Sequence, residues 1–345
     1  MTLHSEILEQ PKCLGRLLEE GRAEAERIAA AIRGRSPRFV FLAARGTSDN
    51  AGRYANYLWG AQNGLPLALA TPSLFTYYGQ PPQLKDALVV GVSQSGKSPD
   101  IVSVIEEGRR QGCLTLSITN APDSPLAQAS EWVLDIRAGE EKAVAATKTY
   151  TTELLAIAMI SAALRGDKAL WRDLSQTPRW VEAVLELDAQ IGQLAERYRY
   201  MNLCVVLGRG FNYATAFEWA LKLKELTYIV AEPYSSADFQ HGPIAMVAGG
   251  FPVMAVAPQG KVFDSMLGML QRLRNEHNAE LVVISDAASA LSLAQSPLPL
   301  PRQIPEWLTP LVAIVAGQLF AYHLTRAKGY DTEKPRSIGK ITETH

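Results

Sequence analysis

Leu88-Val89-Val90-Gly91-Val92-Ser93-Gln94-Ser95-Gly96-Lys97-Ser98-Pro99-Asp100 is an apolar run that stops at a cluster of hydroxyls and a glycine before a helical pattern begins. It reads as strand, loop and helix. A parallel strand covered on both faces is written as continuous Val and Leu, and the turn after it is where such folds hold ligands. Ser93, Ser95 and Ser98 offer hydroxyls, Gly96 lets backbone approach closely, and the first amides of the following helix favour an anion. A phosphate is the natural guest. Ser98 before Pro99 is equally an ordinary helix start, with Ser98 as N-cap and Pro99 in the first turn.

At 345 residues the chain suits two domains rather than one core. Its apolar fraction of 47% and charged fraction of 20% are those of a folded globular chain. With a net charge of -1, no basic surplus remains to hold a nucleic-acid backbone. Cys13, Cys113 and Cys204 lie far apart, as in a reducing compartment, and the scattered histidines show no metal-ligand spacing. No metal and no cofactor are expected. No signal-peptide pattern opens the chain, so a cytoplasmic location is expected. Leu154 to Leu164 is too short to span a membrane. Pro310, Gln318 and His323 interrupt Trp307 to Leu324, which reads as a buried core or interface helix, so no membrane partner is expected.

In order, Ser5 to Arg33 is helical, with Pro11 and Gly21 as breaks. Strands are expected at Phe39–Ala44, Leu65–Ala70, Leu88–Val92, Cys113–Thr119 and Trp132–Ile136. Ala138 to Thr152 is a loop leading into a long helix. Alternating strands and helices predict an α/β fold, a doubly wound parallel sheet with helices on both faces. Trp171 to Tyr198 is a helical link, after which the arrangement repeats from Leu203. Arg45-Gly46 precedes Arg209-Gly210 by 164 residues, and Val92 to Lys97 precedes Val256 to Lys261 by the same 164. Ser117 to Asn120 precedes Val283 to Asp286 by 166. Near-equal offsets at three places indicate two copies of one α/β domain. The copies differ at the anion loop, where Ala257 and Pro258 replace Ser93 and Gln94. The expected organisation is a lead-in (1–36), a phosphate-binding domain (37–168), a helical linker (169–199), a second domain (200–330) and a tail (331–345).

The second half carries the ionisable groups. Glu218, Lys222 and Glu225 fall at helical spacings of four and three and share one face. A solvated salt-bridge ladder would look the same. Apolar flanks and a preceding ligand-type turn favour a carboxylate and an amine at a cleft, with Glu225 as a proton-transfer base. His241 sits in a turn before Gly242-Pro243, either simply exposed or presented as an acid-base imidazole. Gly208-Arg209-Gly210 is not a dinucleotide fingerprint, since Tyr213 stands where the third glycine belongs.

Taken together, Gly46-Thr47-Ser48, Ser93-Gln94-Ser95-Gly96, Ala145-Ala146-Thr147-Lys148, Glu218 to Glu225, His241-Gly242-Pro243 and Pro335 to Lys340 resemble the sugar isomerase (SIS) family. Within it, the chain is similar to the isomerase half of glucosamine-6-phosphate synthase from about Phe39 to Lys340. The resemblance implies two tandem SIS domains, each with a mostly parallel five-stranded sheet, and a homodimer with shared active sites. It implies that Ser93, Gln94, Ser95 and Ser98 bind a sugar phosphate beside Thr47, while Ser48 and Ala145 line the sugar. It further implies that Glu225 moves a proton between C1 and C2, His241 opens the ring, Lys222 assists, and Lys340 matches a Schiff-base lysine. Gly46, Gly96, Thr147 and Glu218 support these groups.

About 35 residues precede the first strand, too few for the synthase's glutaminase domain. The resemblance therefore extends to the SIS-type glucosamine-6-phosphate deaminases, which release fructose 6-phosphate and ammonia. A fructosamine-6-phosphate deglycase, a galactosamine-6-phosphate deaminase or an aldose-ketose isomerase would use the same groups. A non-catalytic sugar-phosphate sensor would not need Glu225, Lys222 and His241 together, and no DNA-binding module is visible before Arg33.

Overall fold

The computed structural model describes residues 2–340. Among these, two five-stranded sheets organise the chain, and every strand pairing in both is parallel. The first contains β1 (Phe39–Ala43), β2 (Leu67–Leu69), β3 (Ala87–Ser93), β4 (Leu114–Thr119) and β5 (Trp132–Asp135), in the order β2-β1-β3-β4-β5. The second contains β6 (Leu203–Gly208), β7 (Val230–Ser235), β8 (Pro252–Val256), β9 (Glu280–Ser285) and β10 (Ser296–Pro299), in the order β10-β9-β8-β6-β7. Counted from its other edge the second order repeats the first. The duplication read from the offsets is thus also a duplication of topology.

The helices that precede and follow the first sheet's strands are α1 (Leu3–Leu8), α2 (Gln10–Glu20), α3 (Arg22–Arg35), α4 (Gly46–Asn63), α5 (Ser73–Thr76), α6 (Pro99–Arg110), α7 (Pro125–Ala129) and α8 (Lys148–Arg165). Then come α9 (Lys168–Ser175), α10 (Thr177–Leu185), α11 (Asp188–Glu196), α12 (Tyr213–Thr227), α13 (Ser236–Gln240), α14 (Phe263–Asn275), α15 (Ala288–Leu291) and α16 (Thr309–Ala327). Pro11 does not break the lead-in. It lies in the first turn of α2, where its missing N–H would have had no partner, and the interruption falls at Glu9. The expected loop from Ala138 is also shorter than predicted, because α8 already starts at Lys148.

The described chain forms two compact units. One holds residues up to Leu8 with Thr177–Ser337; the other holds Glu9–Gln176 with the residues from Ile338 onward. Thus α1 belongs with the second sheet, because Leu3 and Ile7 are buried and the helix packs on α16. Each unit is built on a helix that is buried nearly all round. Residues 148–163 of α8 are buried in one unit, and nearly all of α16 in the other. By length and composition α16 could cross a membrane, yet it serves as the core helix against α10, α11 and α12.

All seven residues of β3 are buried. Its Val89 shares one apolar cluster with Ile101, Val104 and Ile105 of α6, which seats that helix on the strand. The first sheet reverses its winding between β1 and β3, the position where ligands bind beyond the strands' C-terminal ends.

Candidate functional site

At that edge of the first sheet, two helices begin. α4 follows β1 directly, with Arg45 as N-cap, and α6 follows the serine loop, with Ser98 as N-cap. Each helix start carries roughly half a positive charge, so both favour an anion there. A salt bridge ties the two starts together: Arg45 Nε donates to Asp100 Oδ2 at 2.7 Å, and the Asp100 side chain is buried. Ser98 makes no side-chain cap bond, so the helix-start reading does not consume its hydroxyl.

The loop between is held from below. The Gln94 carbonyl accepts from the Asn120 amide at 3.3 Å, and the Gly96 amide donates to Ser93 Oγ at 3.2 Å. Gly96 has φ +61°, and a Cβ there would lie 2.0 Å from Ser124 Oγ. Only glycine fits both the left-handed backbone and the space. Thr47 is half-buried in the first turn of α4. Ser48 is buried, with its hydroxyl donating to Glu153 on α8 at 2.8 Å. Ala145 and Thr147 are buried in the segment that enters α8.

That segment is organised by a residue not singled out in the sequence. Glu141 is buried, and its carboxylate accepts from the amides of Thr147 (2.9 Å) and Thr149 (3.1 Å) and from the Thr149 hydroxyl (2.8 Å). The ammonium of Lys340 donates to the same carboxylate at 2.6 Å. A buried charge needs such partners. An acidic residue just ahead of a helix start was the available signal. Residues 341–345 of the expected tail lie outside the described residues.

In the other unit, α12 carries the second group. Lys222 Nζ lies 2.6 Å from Glu225 Oε2 and 3.3 Å from Glu218 Oε1. This is not a solvated ladder: Glu218 and Lys222 are buried, whereas the Glu225 side chain is 25% exposed. Burial alone would depress the Lys222 pKa, but the Glu218 and Glu225 carboxylates more than reverse this and hold it above the ordinary lysine value. Lys222 is therefore a fixed ammonium, and the partly exposed Glu225 carboxylate beside it is the member of the group that reaches solvent. On its far side α12 buries Trp219, edge-on to Phe320 at 5.8 Å.

His241 is exposed at the end of α13, its amide bonded to the Asp238 carbonyl at 3.0 Å. At the end of α12, Tyr228 adopts a left-handed conformation, φ +58°. The Arg336 guanidinium lies 4.4 Å from the centre of its ring and 5.1 Å from that of Tyr330, and the Arg336 amide donates to the Tyr228 hydroxyl at 2.9 Å. The chain is thus gripped four residues ahead of Lys340. The equivalent of the anion loop in this unit is closed. Beyond the Ala257 and Pro258 replacements, a Cβ on Gly260 would lie 2.2 Å from the carboxyl carbon of Glu306. A carboxylate packed there repels an anion.

A model of the SIS domain matches residues 35–163 and again 202–325, and the chain belongs to this family. It is 36% identical over 313 residues to the glutamine–fructose-6-phosphate aminotransferase (isomerizing) of Gloeobacter violaceus, covering 87% of this chain and 51% of that protein. The chain spans about half the length of the curated relatives it matches. Among solved structures, a candidate phosphosugar isomerase from Silicibacter pomeroyi superposes with a TM-score of 0.87 at 34% identity, over 96% of this chain and 100% of that one. The C-terminal domain of glucosamine-fructose-6-phosphate aminotransferase from Francisella tularensis gives 0.87 at 28% identity, over 96% and 98%.

Proposed function

We propose that the chain is an amino-sugar-phosphate isomerase acting as a deaminase, converting glucosamine 6-phosphate and water to fructose 6-phosphate and ammonia. The observation that carries this reading is the quarter-exposed Glu225 carboxylate held against the buried Lys222 ammonium. It is a base with a fixed position and an open side.

In this reading Ser93, Gln94, Ser95, Ser98 and Thr47 hold the phosphate, and Ser48 and Ala145 border the sugar. His241 opens the ring by moving a proton between the C1 hydroxyl and the ring oxygen. Glu225 takes the proton from C2 and returns it at C1, leaving an imine at C2. Water adds at C2, ammonia leaves, and the ketose remains. The Lys222 ammonium steadies Glu225 in both protonation states, and Lys340 stands by the sugar end once it leaves Glu141. We further propose a homodimer in which both copies contribute to each site. The chemistry balances with water alone, and every group it needs is present in this chain.

The test is ammonia release coupled to fructose 6-phosphate detection, with glucosamine 6-phosphate as sole substrate and galactosamine 6-phosphate and phosphorylated fructosamines in parallel. Turnover of glucosamine 6-phosphate without glutamine supports the deaminase. Synthesis of glucosamine 6-phosphate from fructose 6-phosphate and ammonia, with no net release, would show that the same groups serve an aminotransferase instead.

A further inference from the structure

Away from the groups above, three residues on three helices of one unit converge. His4 is on α1, Asp188 is the first residue of α11, and His323 is near the end of α16. His4 Nε2 lies 2.9 Å from one Asp188 oxygen and His323 Nε2 lies 2.7 Å from the other. One atom from each residue can be chosen so that all three lie within 4.8 Å of one another. We propose that these residues form a binding site for a divalent transition-metal ion of the zinc type, which fastens α1 to the core of its unit.

Both rings are set in place by their surroundings. His4 stacks on Tyr322 with centroids 4.7 Å apart and planes 10° from parallel, and His323 meets the same ring edge-on at 5.0 Å. Asp188 and Gly192 share a face of α11, one turn apart. A Cβ on Gly192 would come 3.1 Å from His323 Nδ1, so the glycine leaves the space the imidazole occupies. A mid-helix glycine is unfavourable relative to alanine, and here the close approach of the ring accounts for it. The three side chains are 15 to 29% exposed, so an ion can reach them from solvent.

The donor set selects the ion. Two imidazole nitrogens and one carboxylate suit zinc, cobalt or nickel better than calcium or magnesium, which prefer all-oxygen shells. Bonds of about 2.0–2.1 Å place tetrahedral ligand atoms roughly 3.3 Å apart, so each imidazole–carboxylate separation must open by about half an ångström. Two neutral imidazoles and one carboxylate carry a single negative charge, which a dication more than balances. Binding requires each neutral ring to carry its proton on Nδ1, so that the Nε2 lone pair now held toward Asp188 by its N–H becomes the ligand.

The full chain, stripped with a chelator and checked for retained fold by circular dichroism, is titrated with Zn²⁺ against a chromophoric competitor and separately with Co²⁺. The expected results are one tight equivalent, a cobalt spectrum lacking the thiolate charge-transfer band, and a melting temperature raised by saturating zinc. His323→Gln and His4→Gln are each expected to weaken binding at least tenfold, while His277→Gln leaves it unchanged. His4→Gln keeps a donor for Asp188 at the chain's terminal helix, so it serves if the His323 variant does not fold. Absence of a saturable equivalent, a thiolate band, or binding unaltered in His4→Gln would overturn the proposal. It would leave the cluster as a hydrogen-bonded latch.

Discussion

The Lys222 ammonium lies 2.6 Å from the Glu225 carboxylate and 3.3 Å from that of Glu218, with only Glu225 reaching solvent. Replacing the lysine strands a buried carboxylate. Lys222→Met is expected to destabilise the protein by about 3–5 kcal/mol, measured by urea unfolding.

The same ion pairs set a pH dependence. The folded-state pKa of Lys222 is raised above the ordinary lysine value of 10.5. Its contribution to stability is therefore complete below about pH 10.5 and is lost as pH rises through the folded value. Wild-type stability is expected to fall between pH 10 and the alkaline limit by more than that of Lys222→Met. Equal alkaline slopes for the two proteins would contradict the assignment.

Glu225→Gln tests the base directly. The side chain is a quarter exposed and the amide is isosteric, so melting should change little. Turnover is expected to fall by roughly 10²–10⁴, the usual contribution of a positioned base, with KM changing less. Full activity in this variant would refute the proposed proton transfer.

Gly96→Ala probes the anion loop. With φ +61° and Ser124 Oγ in the way, the methyl group must displace the loop. The expected outcome is a KM for sugar phosphate raised at least tenfold, with a stability loss of about 1–3 kcal/mol. Gly260→Ala, in the closed counterpart, is expected to lower stability without a selective rise in KM.

Glu141→Gln tests the anchor of the C-terminal lysine. A neutral amide no longer balances the Lys340 charge, and the start of α8 loses its anionic acceptor. Limited proteolysis near residue 340 should become faster, with a stability cost of about 1–3 kcal/mol. Unchanged proteolysis would mean that the Lys340 contact does not hold the tail.

Much of this was legible in one dimension, because it rests on local chemistry. The unbroken apolar run of β3 read as a strand covered on both faces, and Ser98-Pro99 as a helix start beside an anion loop. The near-constant offset between the halves carried the duplication, since two copies of one fold need similar strand spacing. The helical phase of Glu218, Lys222 and Glu225 put them on one face.

Tertiary structure decided what long-range contacts decide. Whether that face was solvated or buried depended on what packs around α12, and helical phase cannot tell the two apart. Glu141 became a partner of Lys340 across 199 positions of chain. Glu306 closed the second loop from outside it, and α1 joined the far unit because Leu3 and Ile7 found their apolar surface there. Side-chain periodicity encodes which residues seek burial. It does not encode against what they are buried, because that is settled only when segments distant in sequence compete for the same surface.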